Sequence, residues 1–224
     1  GTTSVLKSNV PLQVPNIASA VSLSVGDNSA CVVLADEKIR CWTNPSVASG
    51  ASFETSVKKV AVGASFGCAL HYDQTVACWG DNSVGQLGRS NILRAVLPVG
   101  IESLSPILDI SARSWSACVA TLDRLVSCWG WNDFGQLGIA GKAVAHAPNL
   151  IPNLTGAVSI SVSEQAGCSV IADSSIKCWG SNSDVENQGL VDVATSAEST
   201  QVKVGLNFAC LVSTASSLKC WGAN

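Results

Sequence analysis

Five times in 224 residues a cysteine is followed ten positions later by a second cysteine and then at once by tryptophan. The pairs are Cys31 and Cys41, Cys68 and Cys78, Cys118 and Cys128, Cys168 and Cys178, and Cys210 and Cys220. Glycine follows the tryptophan in Trp79-Gly80, Trp129-Gly130, Trp179-Gly180 and Trp221-Gly222, and threonine does so in Trp42-Thr43. Successive first cysteines lie 37, 50, 50 and 42 positions apart. A unit that recurs at such a period is one supersecondary element, too small to bury its apolar face alone, so the chain must stack five of them.

Inside each unit the hydrophobic period is two, which marks half-buried strands. Leu23 and Val25, Val60 and Val62, Ile110 and Ala112, Ile160 and Val162, and Val202 and Val204 alternate ahead of the first cysteine. Between the cysteines the same face continues through Val33 and Ile39, Leu70 and Val76, Ala120 and Val126, Val170 and Ile176, and Val212 and Leu218. Antiparallel pairing about the centre of each unit leaves a short turn at Asp36, Asp73, Asp123, Asp173 and Ala215. Aspartate suits such turns because its carboxylate accepts from nearby backbone amides. The same register sets each cysteine opposite its partner, at the ~4.5–5.5 Å of directly paired strand residues, within reach of a disulfide. Each bridge then closes a loop of about eleven residues, for which the chain-entropy estimate is about 3 kcal/mol. Zinc is the weaker reading, since structural zinc sites use shorter Cys-Cys spacings and four ligands. No metal and no cofactor is expected.

Ten cysteines in an even count point to an oxidising compartment, so the protein is expected to be secreted, extracellular or at a cell surface. The chain lacks methionine and a basic, apolar leader, and reads as a mature one. Its 13 Lys and Arg against 16 Asp and Glu leave a net charge of −3, which supplies none of the cationic excess that a nucleic-acid partner requires. Apolar runs such as Cys31-Val32-Val33-Leu34-Ala35 fall far short of the ~20 residues of a membrane span, so no membrane insertion is expected. With 47% hydrophobic and 13% charged residues the chain has ample apolar surface for a core.

The unit resembles the repeat of the regulator of chromosome condensation superfamily, the RCC1-like repeat. The resemblance lies in a strand ending near Gly26, Gly63 or Gly205 (Arg113 and Ser163 in the other copies), a small loop, the hairpin, Trp-Gly and a Gly-Gln-Leu-Gly tail. That tail is complete in Gly85-Gln86-Leu87-Gly88 and Gly135-Gln136-Leu137-Gly138, reduced to Asn187-Gln188-Gly189-Leu190 in the fourth unit, and missing from the first. The resemblance implies an all-β fold, a β-propeller of packed four-stranded blades. Its units span 21–50, 51–90, 91–140, 141–190 and 191–224 of one propeller domain. The family's familiar rings have seven blades, whereas five units are present here. The last unit stops at Trp221-Gly222-Ala223-Asn224 without a tail, and Pro11-Leu12-Gln13-Val14-Pro15-Asn16-Ile17 is similar to the inter-repeat Leu150-Ile151-Pro152-Asn153-Leu154. Residues 1–20 are therefore expected to supply a strand, either closing the ring or exchanged with another chain to complete an arc.

Residues that interrupt the repeat are the candidates for binding. Phe66, Trp115 and Phe208 occupy the loop before the first cysteine in three units, where Ser29 and Ala166 stand in the others, and are expected on one propeller face. Trp131 and Phe134 add aromatic surface in the third tail, and packing under neighbouring loops is the alternative for all five. Asn153-Leu154-Thr155 is the only N-x-S/T sequon and marks Asn153 as a candidate glycosylation site. The five repeated tryptophans read as packing between blades. His71 and His146 stand in separate units, and the turn aspartates are too far apart for paired acid-base work, so no catalytic residues are assigned and an enzyme is not expected. The paired cysteines and acidic balance argue against the nuclear exchange and chromatin role of the family's founding member. What remains is an extracellular structural or assembly module that joins copies of itself or a surface matrix, a filament subunit being one form of it. The alternative is a secreted protein- or glycan-binding module, inhibitor-like, acting through loops on one face.

Overall fold

The computed structural model describes residues 9–11, 13–42, 55–102, 104–141, 143–181, 190–193 and 199–222. Among them are eighteen strands and no helix. Thr43, Asn187 to Gly189, Ala223, Asn224 and residues 1–8 lie outside the described residues.

The alternation read from sequence becomes five antiparallel sheets in chain order. The first holds β1 (Ala20–Val25), β2 (Ala30–Leu34) and β3 (Ile39–Trp42). The second holds β4 (Val57–Val62), β5 (Phe66–His71), β6 (Val76–Asp81) and β7 (Arg94–Gly100). The third holds β8 (Ile107–Arg113), β9 (Ser116–Thr121), β10 (Val126–Trp131) and β11 (Val144–Leu150). The fourth holds β12 (Ala157–Val162), β13 (Ala166–Ile171), β14 (Ile176–Gly180) and β15 (Val191–Val193), and the fifth β16 (Ser199–Val204), β17 (Phe208–Ser213) and β18 (Leu218–Gly222). Each sheet is one blade of a five-blade β-propeller, with β1, β4, β8, β12 and β16 innermost.

The central hairpins form where the cysteine spacing sets them. Cys31 pairs with Cys41, Cys68 with Cys78, Cys118 with Cys128, Cys168 with Cys178 and Cys210 with Cys220, both as strand partners and as disulfides. The turns behave as aspartate chemistry requires: the carboxylates of Asp36, Asp73 and Asp173 accept from the backbone N–H of Lys38, Thr75 and Ser175. The residue after each aspartate, or after Ala215, is left-handed, as in Gln74 (φ 71°) and Ser174 (φ 68°). Side-chain hydrogen bonds from Lys38, Thr75 and Ser175, followed by backbone bonds in the last two, hold these three carboxyls below their ordinary pKa.

Blades pack face to face through the alternating apolar residues. Between the second and third, Phe66, Cys68, Leu70, Val76 and Leu87 meet Ile107, Ile110, Val119 and Trp129. Between the third and fourth, Cys118, Val126, Cys128 and Leu137 meet Ile151, Leu154, Ile160 and Trp179. The tryptophans are inter-blade keys. The indole N–H of Trp129 donates to the Gln86 carbonyl at 2.9 Å, and that of Trp179 to the Gln136 carbonyl at 2.9 Å. Each therefore anchors its blade on the Gly-Gln-Leu-Gly tail of the blade before.

A second inter-blade link runs along the inner strands. The backbone N–H groups of Val62, Val162 and Val204 donate to the hydroxyls of Ser24, Ser111 and Ser161 on the preceding blade at 3.0–3.1 Å. Ala61 holds the corresponding place in the second blade, and there an ion pair from Lys59 to Asp109 joins the second and third blades instead. Asp109 also accepts from the Ile160 N–H at 3.0 Å, reaching the fourth blade.

Candidate functional site

The propeller has three surfaces on which a function can be built: the loops of one face, the inner channel and the two ends of the blade series. On the loop face, β8 and β9 are joined through Ser114 and Trp115, and β10 runs into Trp131, Asn132, Asp133 and Phe134. The Trp131 N–H donates to the Trp115 carbonyl at 3.0 Å, fixing the two segments side by side. Gly130 permits this approach, because it has φ +101° and a Cβ there would lie 2.2 Å from the same carbonyl oxygen. The Trp115 and Trp131 rings then meet edge to face with centroids 5.5 Å apart, and Trp131 and Phe134 do so at 5.2 Å. Such geometry suits the quadrupoles of aromatic rings. Two candidates that lie far apart in the sequence are thus one aromatic cluster, with Trp115 37% exposed.

Phe66 and Phe208 do not belong to that cluster. Both pair with the glycine of Trp-Gly, as Phe66 with Gly80 and Phe208 with Gly222, whereas in the third blade that place is taken by Ser116 opposite Gly130. Trp115 is therefore one residue out of step with the two phenylalanines, and in a strand one residue reverses the facing of a side chain. The expected single patch of Phe66, Trp115 and Phe208 is corrected accordingly. Phe66 is 3% exposed, in the packing between the second and third blades. Phe208 occupies the same position in the fifth blade and is 52% exposed.

That contrast extends over both ends. Leu23 of β1 is 63% exposed, although its counterparts Val60, Ile110, Ile160 and Val202 are all buried. Leu218 of β18 is 69% exposed, although Ile39, Val76, Val126 and Ile176 are buried. Val25 and Val212 are exposed in the same way. Alternation finds these residues apolar but cannot tell them from their buried counterparts, because the difference lies in what packs against each blade among the described residues.

In the channel, Lys203 keeps solvent-accessible surface yet lies among protein atoms near the Lys59 and Asp109 pair. Partial burial first, and then repulsion from Lys59, pull its pKa below the ordinary lysine value, with Asp109 opposing. His71 shares a polar contact with Thr75, and no group of three or more metal-ligating side chains occurs among the described residues. Asn153 is exposed in a left-handed turn (φ 62°), with Leu154 beside it buried. Sequence reasoning missed the inner serines and Asp109, whose only signal is a polar residue at alternate inner-strand positions.

The fold and these links define a class: a β-propeller of repeated blades, each stapled through its central hairpin. The model of the regulator of chromosome condensation (RCC1) repeat matches residues 57–86 and 126–169. The chain is an RCC1-like, disulfide-stapled propeller. No curated protein sequence matches it. Similar solved structures include human WBSCR16, with a TM-score of 0.78 and 15% identity over 91% of this chain and 61% of that one. Prp20p of Saccharomyces cerevisiae, studied for its binding to Gsp1p and histones, aligns with a TM-score of 0.75 and 18% identity over 91% of this chain and 58% of its own. The CRINKLY ectodomain of the Arabidopsis thaliana receptor kinase ACR4 aligns at 0.57 and 23% identity, covering 91% and 63%. The chain thus spans less than two thirds of each of these, and the likeness is one of fold. Five intrachain disulfides suggest an oxidising, extracellular environment, and no helix among the described residues is long and apolar enough to cross a membrane.

Proposed function

We propose that this propeller is a non-catalytic extracellular assembly module, whose end blades join it to further copies of itself. One observation carries the reading: among the described residues, Leu23 of the first blade and Leu218 of the fifth are exposed, whereas their counterparts in the second, third and fourth blades are apolar and buried. Apolar patches of this kind mark interaction surfaces. Light scattering across a range of protein concentrations tests it. The expected result is a mass that grows with concentration for the native chain and stays at one protomer for Leu23→Asp. A native chain that remains a single protomer at the highest concentration overturns the reading.

A second reading has its own observation, the Trp115, Trp131 and Phe134 cluster. An edge-to-face cluster with Trp115 exposed and Trp131 and Phe134 half-buried beside it suits a sugar ring or an apolar side chain of a partner protein. Prp20p shows by its reported binding of Gsp1p and histones that this fold accommodates protein partners. On a glycan array, Trp115→Ala together with Trp131→Ala is expected to abolish any signal of the native chain. Signal unchanged by both substitutions removes the cluster from consideration. Asn153, exposed in its turn, is proposed to carry an N-glycan, which enzymatic deglycosylation of protein secreted by eukaryotic cells would reveal as a loss of mass.

A further inference from the structure

The second and third blades meet at their outer rim around a cleft of about 450 Å³, a volume in the range of small-molecule sites. The second blade supplies the turn Gly88-Arg89-Ser90-Asn91 and, just beyond β7, Glu102. The third supplies Ala147 and Pro148 of β11.

The repeat shows which of these side chains the fold itself does not require. Asn82 and Asn132 organise equivalent turns: the side-chain oxygen accepts from the Leu87 N–H at 2.8 Å in one and the Leu137 N–H at 2.9 Å in the other, and the amide donates to the Arg89 or Ile139 carbonyl. Ile101 and Ile151 likewise donate their N–H groups to the carbonyls of Val76 and Val126. Arg89, Ser90, Asn91 and Glu102 therefore stand where the next unit has Ile139, Ala140, Gly141 and Pro152. Polar and charged groups gather in the cleft where the same backbone elsewhere carries none.

The walls are fixed before any ligand arrives. Asn82 is 2% exposed, and its amide also donates to the Ile92 carbonyl at 2.6 Å, closing the turn. Arg89 donates from Nη1 to the Gly100 carbonyl at 2.6 Å and pairs through Nη2 with Glu102 at 3.4 Å. Pro148, its φ fixed by the ring, lies where the pairing of β10 with β11 slips. A preformed site loses little conformational freedom on binding.

The chemistry of the lining selects the ligand. One guanidinium balanced by one carboxylate leaves no net charge to attract an anion, and a single carboxylate beside a guanidinium is a poor cation site. No aromatic ring lines the cleft on which a nucleobase could stack. Amide, hydroxyl and carboxylate groups offer donors and acceptors to neighbouring hydroxyls, while Ala147 and Pro148 offer apolar contact to ring C–H groups. We propose that this cleft between the second and third blades binds a neutral hexopyranose unit of a glycan. Asn91 and Glu102 contact its hydroxyls, and Arg89 holds Glu102 in place. The site requires neither self-assembly nor the Trp115 cluster.

Titration of methyl glucoside, methyl mannoside, methyl galactoside and methyl N-acetylglucosaminide into the isotope-labelled native chain, followed by its amide and indole resonances, tests the site. At least one glycoside is expected to bind with millimolar affinity and to shift the amide signals of Ser90, Asn91 and Glu102. Asn91→Ala and Glu102→Ala alter exposed residues, so each is expected to keep the native amide spectrum and to weaken binding about tenfold. Shifts confined to the indoles of Trp115 and Trp131 would move sugar binding to the loop face and overturn the cleft site. Silence from every glycoside, undiminished affinity in both variants, or binding of glucuronate alone would overturn it as well.

Discussion

The third blade and the fifth carry the same hairpin, the same disulfide and the same Trp-Gly, but they occupy different situations. The third is covered on both faces. Its Trp129 is fully buried and bonded to the Gln86 carbonyl, and its Cys118 to Cys128 bridge is sealed against the fourth blade. The fifth is covered on one face, Trp221 is half-buried, and Phe208, Val212 and Leu218 face water. Two blades with near-identical patterning thus differ in burial because stacking, and not the blade itself, excludes water. A repeat array is stabilised by its nearest-neighbour interfaces, and among the described residues the fifth blade has one where the third has two.

Substitution of the inter-blade keys probes this difference most strongly. Trp129→Ala is expected to cost about 3–5 kcal/mol, by loss of a fully buried ring and an indole hydrogen bond. Trp221→Ala should cost less, since its ring is only partly buried at the start. Urea unfolding of both variants measures the gap, and equal losses would mean that the end blade is as well packed as the interior.

Disulfide removal comes next. Replacing Cys118 and Cys128 together by alanine is expected to cost about 3 kcal/mol from the loop term of ~11 residues, with an added cavity term. Replacing Cys210 and Cys220 removes the same loop constraint without the buried cavity, so it should lower the melting temperature less. Calorimetry of the two double variants separates these contributions.

The inner-strand links offer a smaller contrast. Ser111→Ala leaves the buried Val162 N–H without its acceptor and is expected to cost about 1–2 kcal/mol. Ser161→Ala frees the N–H of half-buried Val204, which water can reach, so the loss there should be under about 1 kcal/mol. Faster amide exchange at Val162 in the first variant is the direct readout.

The smallest expected effect is on pH dependence. Burial raises the pKa of Asp81, but hydrogen bonds from Ser83 and from the Gln86 amide outweigh it, and the carboxyl sits below its ordinary 3.8. A folded pKa below the unfolded one stabilises the native state above that ordinary value, and the stabilisation disappears as pH falls through the folded pKa. The melting temperature of the native chain should therefore fall more than that of Asp81→Asn as pH is lowered from about 5 towards about 2.5. Parallel declines would remove Asp81 from the acid response.

The strand alternation, the turn aspartates and the cysteine spacing are local instructions, and residues such as Val33, Ile39, Cys68 and Cys78 stand where those instructions set them. The aromatic candidates were harder to read. Phe66, Trp115 and Phe208 occur at similar distances from a cysteine, but pairing is counted in single residues, and the one-residue offset of Trp115 sends it to the loop face. No pattern along the chain marks Trp131 as the bridge between Trp115 and Phe134, because their meeting depends on the approach of two loops across Gly130.

The amino-acid sequence by itself determined the unit: a two-residue period that makes strands, a ten-residue cysteine spacing that makes cross-strand bridges, and tails whose recurrence makes blades stack. These follow from interactions between neighbours along the chain or across one hairpin. The tertiary structure alone decided which copies of the same residue are buried. Leu23 and Ile160 are written alike, but burial is a property of what lies opposite, and only the stacking of whole blades places a partner over one and leaves the other in water.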